Sequence, residues 1–115
     1  MRSVRSSDDQ KRSLSRRREA DIVAVLMALD EGEVVSYGDV ADTAGHPRQS
    51  RLVGRILSER SAELDLPWWR VVNSVGRLVP GQEGEQTRRL AAEGVVVGPG
   101  GRVSRSNPSP GRKRS

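Results

Sequence analysis

Apolar residues at Ile22, Val23, Leu26, Met27 and Leu29 recur with the period of one helix face, and Gly32 stands where such a helix stops. The spacing predicts a first helix over Ser15 to Asp30. A second, shorter helix is expected to open at Ser36-Tyr37-Gly38-Asp39 and to end near Gly45. There Ser36 can cap the first turn while Asp39 reaches back to the cap. Pro47 suits the first position of a third helix, which the pattern carries to about Arg60. Its apolar residues Leu52, Val53, Ile56 and Leu57 centre on one direction. Arg48, Arg51 and Arg55 fall within about 60° of one another in a different direction, with Gly54 between the two sets.

After Arg60 the pattern changes. The segment from Leu64 to Val72 begins as a loop and ends in a short extended stretch. Asn73-Ser74-Val75-Gly76 reads as a turn, with Leu78 and Val79 pairing back as a hairpin. A fourth helix is expected over Glu83 to Glu93, stopped by Gly94. Val95 to Val97, Gly98 to Gly101 and Arg102-Val103 then read as a terminal hairpin. The expected class is mostly α with short β hairpins.

Charge changes the picture at both ends. Residues 1–18 carry seven Lys/Arg against two Asp, and residues 102–115 carry five Lys/Arg and no acid. The stretch 19–101 has eight Lys/Arg against thirteen Asp/Glu, so the overall net charge of +5 belongs to the ends. Neither end shows periodicity, so residues 1–14 and 104–115 are expected to be disordered basic tails around one domain at 15–103. Basic tails suit a polyanion through counterion release, although a solubilising role is the plainer reading.

Composition removes whole classes of chemistry. The chain has no cysteine and one histidine, His46. There is therefore no disulfide, no thiolate metal site, no thiol nucleophile and no multi-histidine metal centre. No cofactor is expected. No apolar run approaches the roughly 20 residues of a membrane span, and the polar first twenty residues lack a signal-peptide core. The expected setting is the cytoplasm, in association with the nucleoid.

A short helix, a glycine-bearing turn and a helix with a basic outer face make a helix-turn-helix signature. No acid lies between residues 47 and 58, whereas a surface helix that is merely solvated usually mixes its charges. Duplex DNA is the expected partner, through Arg48, Arg51 and Arg55, with Gly54 exposing backbone.

Several motifs in order extend this reading. They are Val35-Ser36-Tyr37-Gly38, Gly45-His46-Pro47, Arg51-Leu52-Val53-Gly54, Pro67-Trp68-Trp69-Arg70-Val71-Val72 and Glu93-Gly94-Val95. Over about residues 20–103 the sequence resembles the DNA-binding domain of O6-alkylguanine-DNA alkyltransferases. It is more similar still to the alkyltransferase-like proteins, which lack the acceptor cysteine. The resemblance implies a winged-helix-like domain of the alkyltransferase C-terminal type, with the third helix in the minor groove. It implies that Arg51 enters the base stack in place of an extruded nucleotide, and that Tyr37 crowds the neighbouring phosphate so that the nucleotide rotates out. Read from the residues alone, Arg51 can equally be a phosphate contact and Tyr37 a half-buried aromatic at a helix start.

The departures from the family pattern are informative. Trp68 stands where the alkyltransferases carry the acceptor cysteine, and Trp69 where they carry the histidine that helps to activate it. Neither a nucleophile nor a base remains for alkyl transfer. The resemblance implies a lesion pocket of Tyr37, Trp68, Trp69, Arg70 and Val71, in which backbone at Trp68 and Val71 meets the guanine edge. An indole there can stack on the extruded base for roughly 1–3 kcal/mol, while the plainer reading of Trp69 is core packing. Arg77 is the one arginine in the following loop that could cover the base.

The expected function is a non-enzymatic sensor that binds O6-alkylguanine in double-stranded DNA as a monomer. The resemblance adds a handoff to nucleotide excision repair proteins. A sequence-specific helix-turn-helix regulator and a dealkylating hydrolase are the alternatives, the first lacking a dimer helix and the second a nucleophile and base.

Overall fold

The computed structural model describes residues 7–104, with side chains from Gln10 onward. Helix α1 runs over Ser7–Met27 and so starts well before Ser15. Residues 7–14, expected to be an irregular tail, are helical; residues 1–6 and 105–115 lie outside the described residues. No Gly or Pro interrupts 7–27, and Gln, Lys, Arg, Leu and Ala all favour helix. Only the second half of α1 is packed, with Ile22 and Leu26 fully buried. No helix among the described residues is long and apolar enough to cross a membrane.

Strand β1 (Val35–Ser36) leads directly into α2 (Tyr37–Thr43). The expected capping box is complete: the Asp39 N–H donates to Ser36 Oγ at 3.0 Å, and the Ser36 N–H donates to Asp39 Oδ2 at 2.9 Å. Helix α3 covers Ser50–Leu64, so Pro47 does not open it. Gly45 and Arg48 both take positive φ, at 84° and 72°, and two left-handed residues so close together make this segment a turn. The segment Trp68–Arg70 is a single 3-10 turn, followed by β2 (Val71–Val72) and α4 (Glu83–Ala92).

The extended Val71–Val72 segment does not pair with Leu78–Val79 as a hairpin. It pairs in parallel with β1, Val35 opposite Val71 and Ser36 opposite Val72. Alternation along the strands then divides the interior in two. Val35 and Val71 face a core with Ile22, Leu26, Val40, Val53 and Ile56. Val34 and Val72 face a second core with Leu78, Leu90 and Val103. The terminal reversal at Gly98–Gly101 forms without a ladder; its partner contact is one antiparallel bridge between Arg77 and Arg102. Gly76 sits under that bridge at φ 83°, where a Cβ would come within 2.4 Å of the Val103 carbonyl oxygen.

Two polar side chains of α4 and its end tie the cores together. The fully buried Gln86 donates to the carbonyls of Trp69 and Val71, both at 3.1 Å, and accepts from the Val79 N–H at 2.7 Å. Glu93 accepts from Arg70 Nη2 at 2.6 Å, Trp69 Nε1 at 2.7 Å and the Gly32 N–H at 2.8 Å. Burial opposes ionisation of Glu93, but these donors prevail and hold its carboxyl at about 2 instead of 4.5.

A folded-state value below the unfolded one means that Glu93 stabilises the fold above about pH 4.5 and that this contribution fades as pH falls toward 2. Glu93→Ala leaves Arg70 buried without its partner and should cost about 3 kcal/mol or more at neutral pH. Thermal melts stepped from pH 7 to pH 2 should show the wild type losing stability over that acid window and Glu93→Gln losing less.

Candidate nucleic-acid interface and base pocket

Capping at Ser36 fixes the first residue of α2, Tyr37, so that its ring lies beside α3. A Cβ built on Gly54 would meet Tyr37 Cε1 at 4.0 Å, so the glycine leaves open the space a larger residue would take. Burial raises the Tyr37 phenol above its ordinary pKa, which keeps it a neutral donor. From Tyr37 and Gly54 a cavity of about 590 Å³ extends to Trp68 and Trp69. Leu57, Leu66, Val79 and Pro80 give it apolar walls, and Ser58, Ser61, Asp65, Gln82 and Arg89 supply polar groups. The buried Ser61 Oγ has no hydrogen-bond partner among the described residues. A concave space of this size, with apolar walls and polar groups in comparable measure, can receive a planar ligand.

The two indoles meet edge to face, with centroids 6.2 Å apart. Trp68 packs on the first core and Trp69 on the second. Trp69 therefore does both things weighed from the sequence: it packs and it lines the cavity. Two cations lie over its ring, with Arg70 Cζ at 5.3 Å and Arg89 Cζ at 4.7 Å from the centroid.

Arg70 and Val71 are not in this cavity. The Arg70 guanidinium turns to Glu93 and to the Leu29 carbonyl at 2.9 Å, because the carboxylate at the end of α4 captures it. Val71 is fully buried in the strand pair; its N–H donates to the Trp68 carbonyl and its own carbonyl accepts from Gln86. Arg77 is exposed on the bridge to Arg102 and does not line the cavity. The arginine that does is Arg89, held by Glu85 Oε2 at 2.8 Å. It and Gln86 escaped sequence reasoning. The only available signal for Gln86 was a polar residue four positions before Leu90 on the core face of α4.

Arg51 and Arg55 are exposed on α3, and Arg48 is exposed in the preceding turn. Arg48 thus reaches solvent from a left-handed backbone, outside the helix that was to hold it in one face with the others. His46, whose Nε2 lies 2.7 Å from Asp21 Oδ2, links the same turn to α1.

A capped short helix, a strained turn, an arginine-bearing helix and an adjoining aromatic cavity define a module of the helix-turn-helix class. Residues 17–95 match the family described as 6-O-methylguanine DNA methyltransferase, DNA binding domain, and the chain belongs to that family. A DNA base-flipping protein of Vibrio parahaemolyticus is 36% identical over 85 residues, which is 72% of this chain and 85% of that protein. The DNA base-flipping protein of Escherichia coli is 42% identical over 81 residues, 69% of this chain and 63% of that protein. The crystal structure of S. pombe Atl1 in complex with damaged DNA containing O6-carboxymethylguanine superposes with a TM-score of 0.63 at 30% identity. That match covers 70% of this chain and 78% of the other. The sequence has no cysteine, so this chain carries no thiol that could accept an alkyl group.

The left-handed backbone at Arg48 costs a side-chain-bearing residue roughly 1 kcal/mol. Arg48→Gly should therefore raise the free energy of unfolding by about 0.5–1 kcal/mol in denaturant titrations. The same substitution should weaken duplex binding, so stability and affinity should move in opposite directions.

Proposed function

We propose that the protein senses O6-alkylguanine in duplex DNA by extruding the damaged nucleotide and holding it, without chemistry, in the cavity between Tyr37 and Trp68. The carrying observation is that Tyr37, Gly54, Trp68 and Trp69, drawn from three separate segments, line one cavity. Arg51 and Arg55 stand exposed on the helix that forms its wall. The relatives named as base-flipping proteins, and the likeness to Atl1 bound to damaged DNA, support the same reading.

In this mechanism α3 enters the minor groove and Arg51 fills the gap left by the extruded base. Its planar guanidinium can stack and hydrogen-bond the orphaned partner base. Tyr37, a neutral phenol at a helix N-terminus, sits where it can crowd the phosphate that must turn. The apolar walls receive the base and its alkyl group, while Arg89 offers a donor to its polar edge. Trp68 leaves the alkyl group nothing to react with. The lesion stays bound, and such a distorted, protein-marked site is suited to recognition by nucleotide excision repair on the chromosome. One copy carries the whole pocket, so a monomer suffices for capture.

The test is titration onto matched duplexes that differ by a single O6-methylguanine, followed by analysis of the DNA for loss of the methyl group. Tighter binding to the modified duplex with the methyl retained is the expected result; equal affinities overturn the reading. Arg51→Ala and Tyr37→Phe should each reduce the preference for the modified duplex, Arg51→Ala by about tenfold or more, since one stacked contact is worth roughly 1–3 kcal/mol. Deleting residues 104–115 should lower affinity for both duplexes and leave their ratio nearly unchanged.

A further inference from the structure

The first half of α1 and the groove beside its second half are both left open by the lesion reading. From Glu19 to Pro47 the chain carries seven Asp/Glu and no Lys/Arg. Three of them, Asp30, Glu33 and Asp39, line a second cavity of about 630 Å³ between α1, the following loop and α2, while Glu19 pairs with Arg60 and Asp21 with His46. Val25, Ala28, Leu29 and Val40 form its apolar floor, and Asp30 and Glu33 stand on its rim. Glu31 adds charge alongside. Arg70 passes near Asp30 and Glu31, but its guanidinium is bound to Glu93. On α2, the groove-lining Asp39 and Thr43 point about 120° or more away from Tyr37, so DNA seated on Tyr37 leaves the groove accessible.

The opposite chemistry projects from the same helix. Residues 10–17 of α1 are all exposed, and Leu14 keeps 49% of its surface in solvent. At helical spacing, Lys11, Arg17 and Arg18 surround Leu14 on one face. An apolar knob ringed by cations thus matches an apolar floor ringed by carboxylates. Both lie on one continuous helix, with Leu14 roughly 15–20 Å along the axis from the groove wall, so the arm cannot fold back onto its own groove. Residues 105–115 bring four cations but no Leu, Ile, Val, Met or aromatic residue for the floor.

We propose that the basic arm of one copy docks, through Leu14, Lys11 and Arg17, in the acidic groove of a second copy. The contact joins two different surfaces, so it repeats head to tail and does not close by itself. The contact is small and charged, hence weak in isolation and sensitive to salt.

Sedimentation of the intact protein at low salt, up to about 1 mM, reads this directly. The weight-average mass should climb from one chain toward two or more with concentration, and added salt should reverse the climb. The variants K11E/R17E and D30K/E31K, each checked for folding by circular dichroism, should stay at one chain mass. An equimolar mixture of the two should associate again, because the acidic arm of the first fits the basic groove of the second. Wild type that remains at one chain mass overturns the proposal. So does either variant associating like wild type, a folded mixture that stays monomeric, or loss of association on deleting residues 105–115. If K11E/R17E weakens duplex binding yet self-associates normally, the arm serves DNA and the proposal also fails. Binding to a duplex long enough for one copy should keep its preference for O6-methylguanine in both variants, which separates this outcome from failure of the lesion-sensor reading.

Discussion

Four residues in parallel pairing, Val35–Ser36 against Val71–Val72, are the constraint on which the remaining geometry depends. The pair joins the entry to α2 with the exit from the Trp68–Arg70 turn, segments more than thirty residues apart. Because side chains alternate along a strand, the same few residues seal two cores at once. Without the pairing, Tyr37 at the start of α2 and Trp68 just before β2 would have no fixed separation, and the cavity between them would not be defined.

So short a ladder cannot hold itself, and its support is polar. Gln86 satisfies carbonyls just before and within β2, at Trp69 and Val71, and fastens the Val79 segment to them. Glu93 gathers Arg70, Trp69 and the turn at Gly32 onto the end of α4. These buried groups are fully engaged, which is the condition under which a polar network rigidifies a core instead of weakening it. Their effect is to aim Arg70 inward, away from any ligand, and to present the two indoles to the cavity. A helix that touches no reacting atom thereby shapes the pocket.

Charge is divided along the chain in the same way as structure. Seven acids lie between Glu19 and Asp42, while Arg51 and Arg55 are exposed on α3 and Arg12, Arg16 and Arg17 on the first half of α1. A duplex approaching such a surface is directed to α3 and repelled from the face beyond α2. The resemblance puts Trp68 where the family's enzymes carry the acceptor cysteine, and with no thiol in the sequence the role proposed for this arrangement is binding alone.

Much was legible in the residues themselves. The capping box at Ser36 and Asp39, the stop at Gly94, the apolar faces of α1 and α3 and the exposure of Arg51 and Arg55 follow from local spacing and capping chemistry. Those forces act over a few residues and need no tertiary partner. The absence of cysteine likewise excluded alkyl transfer to a thiol before any fold was known. What the sequence did not decide were matters of long-range contact. Parallel pairing displaced the expected hairpin because Val71 and Val72 gain two cores by meeting β1 and only one edge by meeting Leu78–Val79. Arg70 left the pocket because Glu93, distant in sequence, is placed against it. Arg89 entered because α4 packs beside the Trp69 turn. The start of α1 at Ser7 shows the converse: a polar segment without an apolar stripe can remain helical when intrinsic propensity is unopposed. Local chemistry thus determined the elements and the candidate residues, and burial across sequence distance decided which of those residues share the cavity.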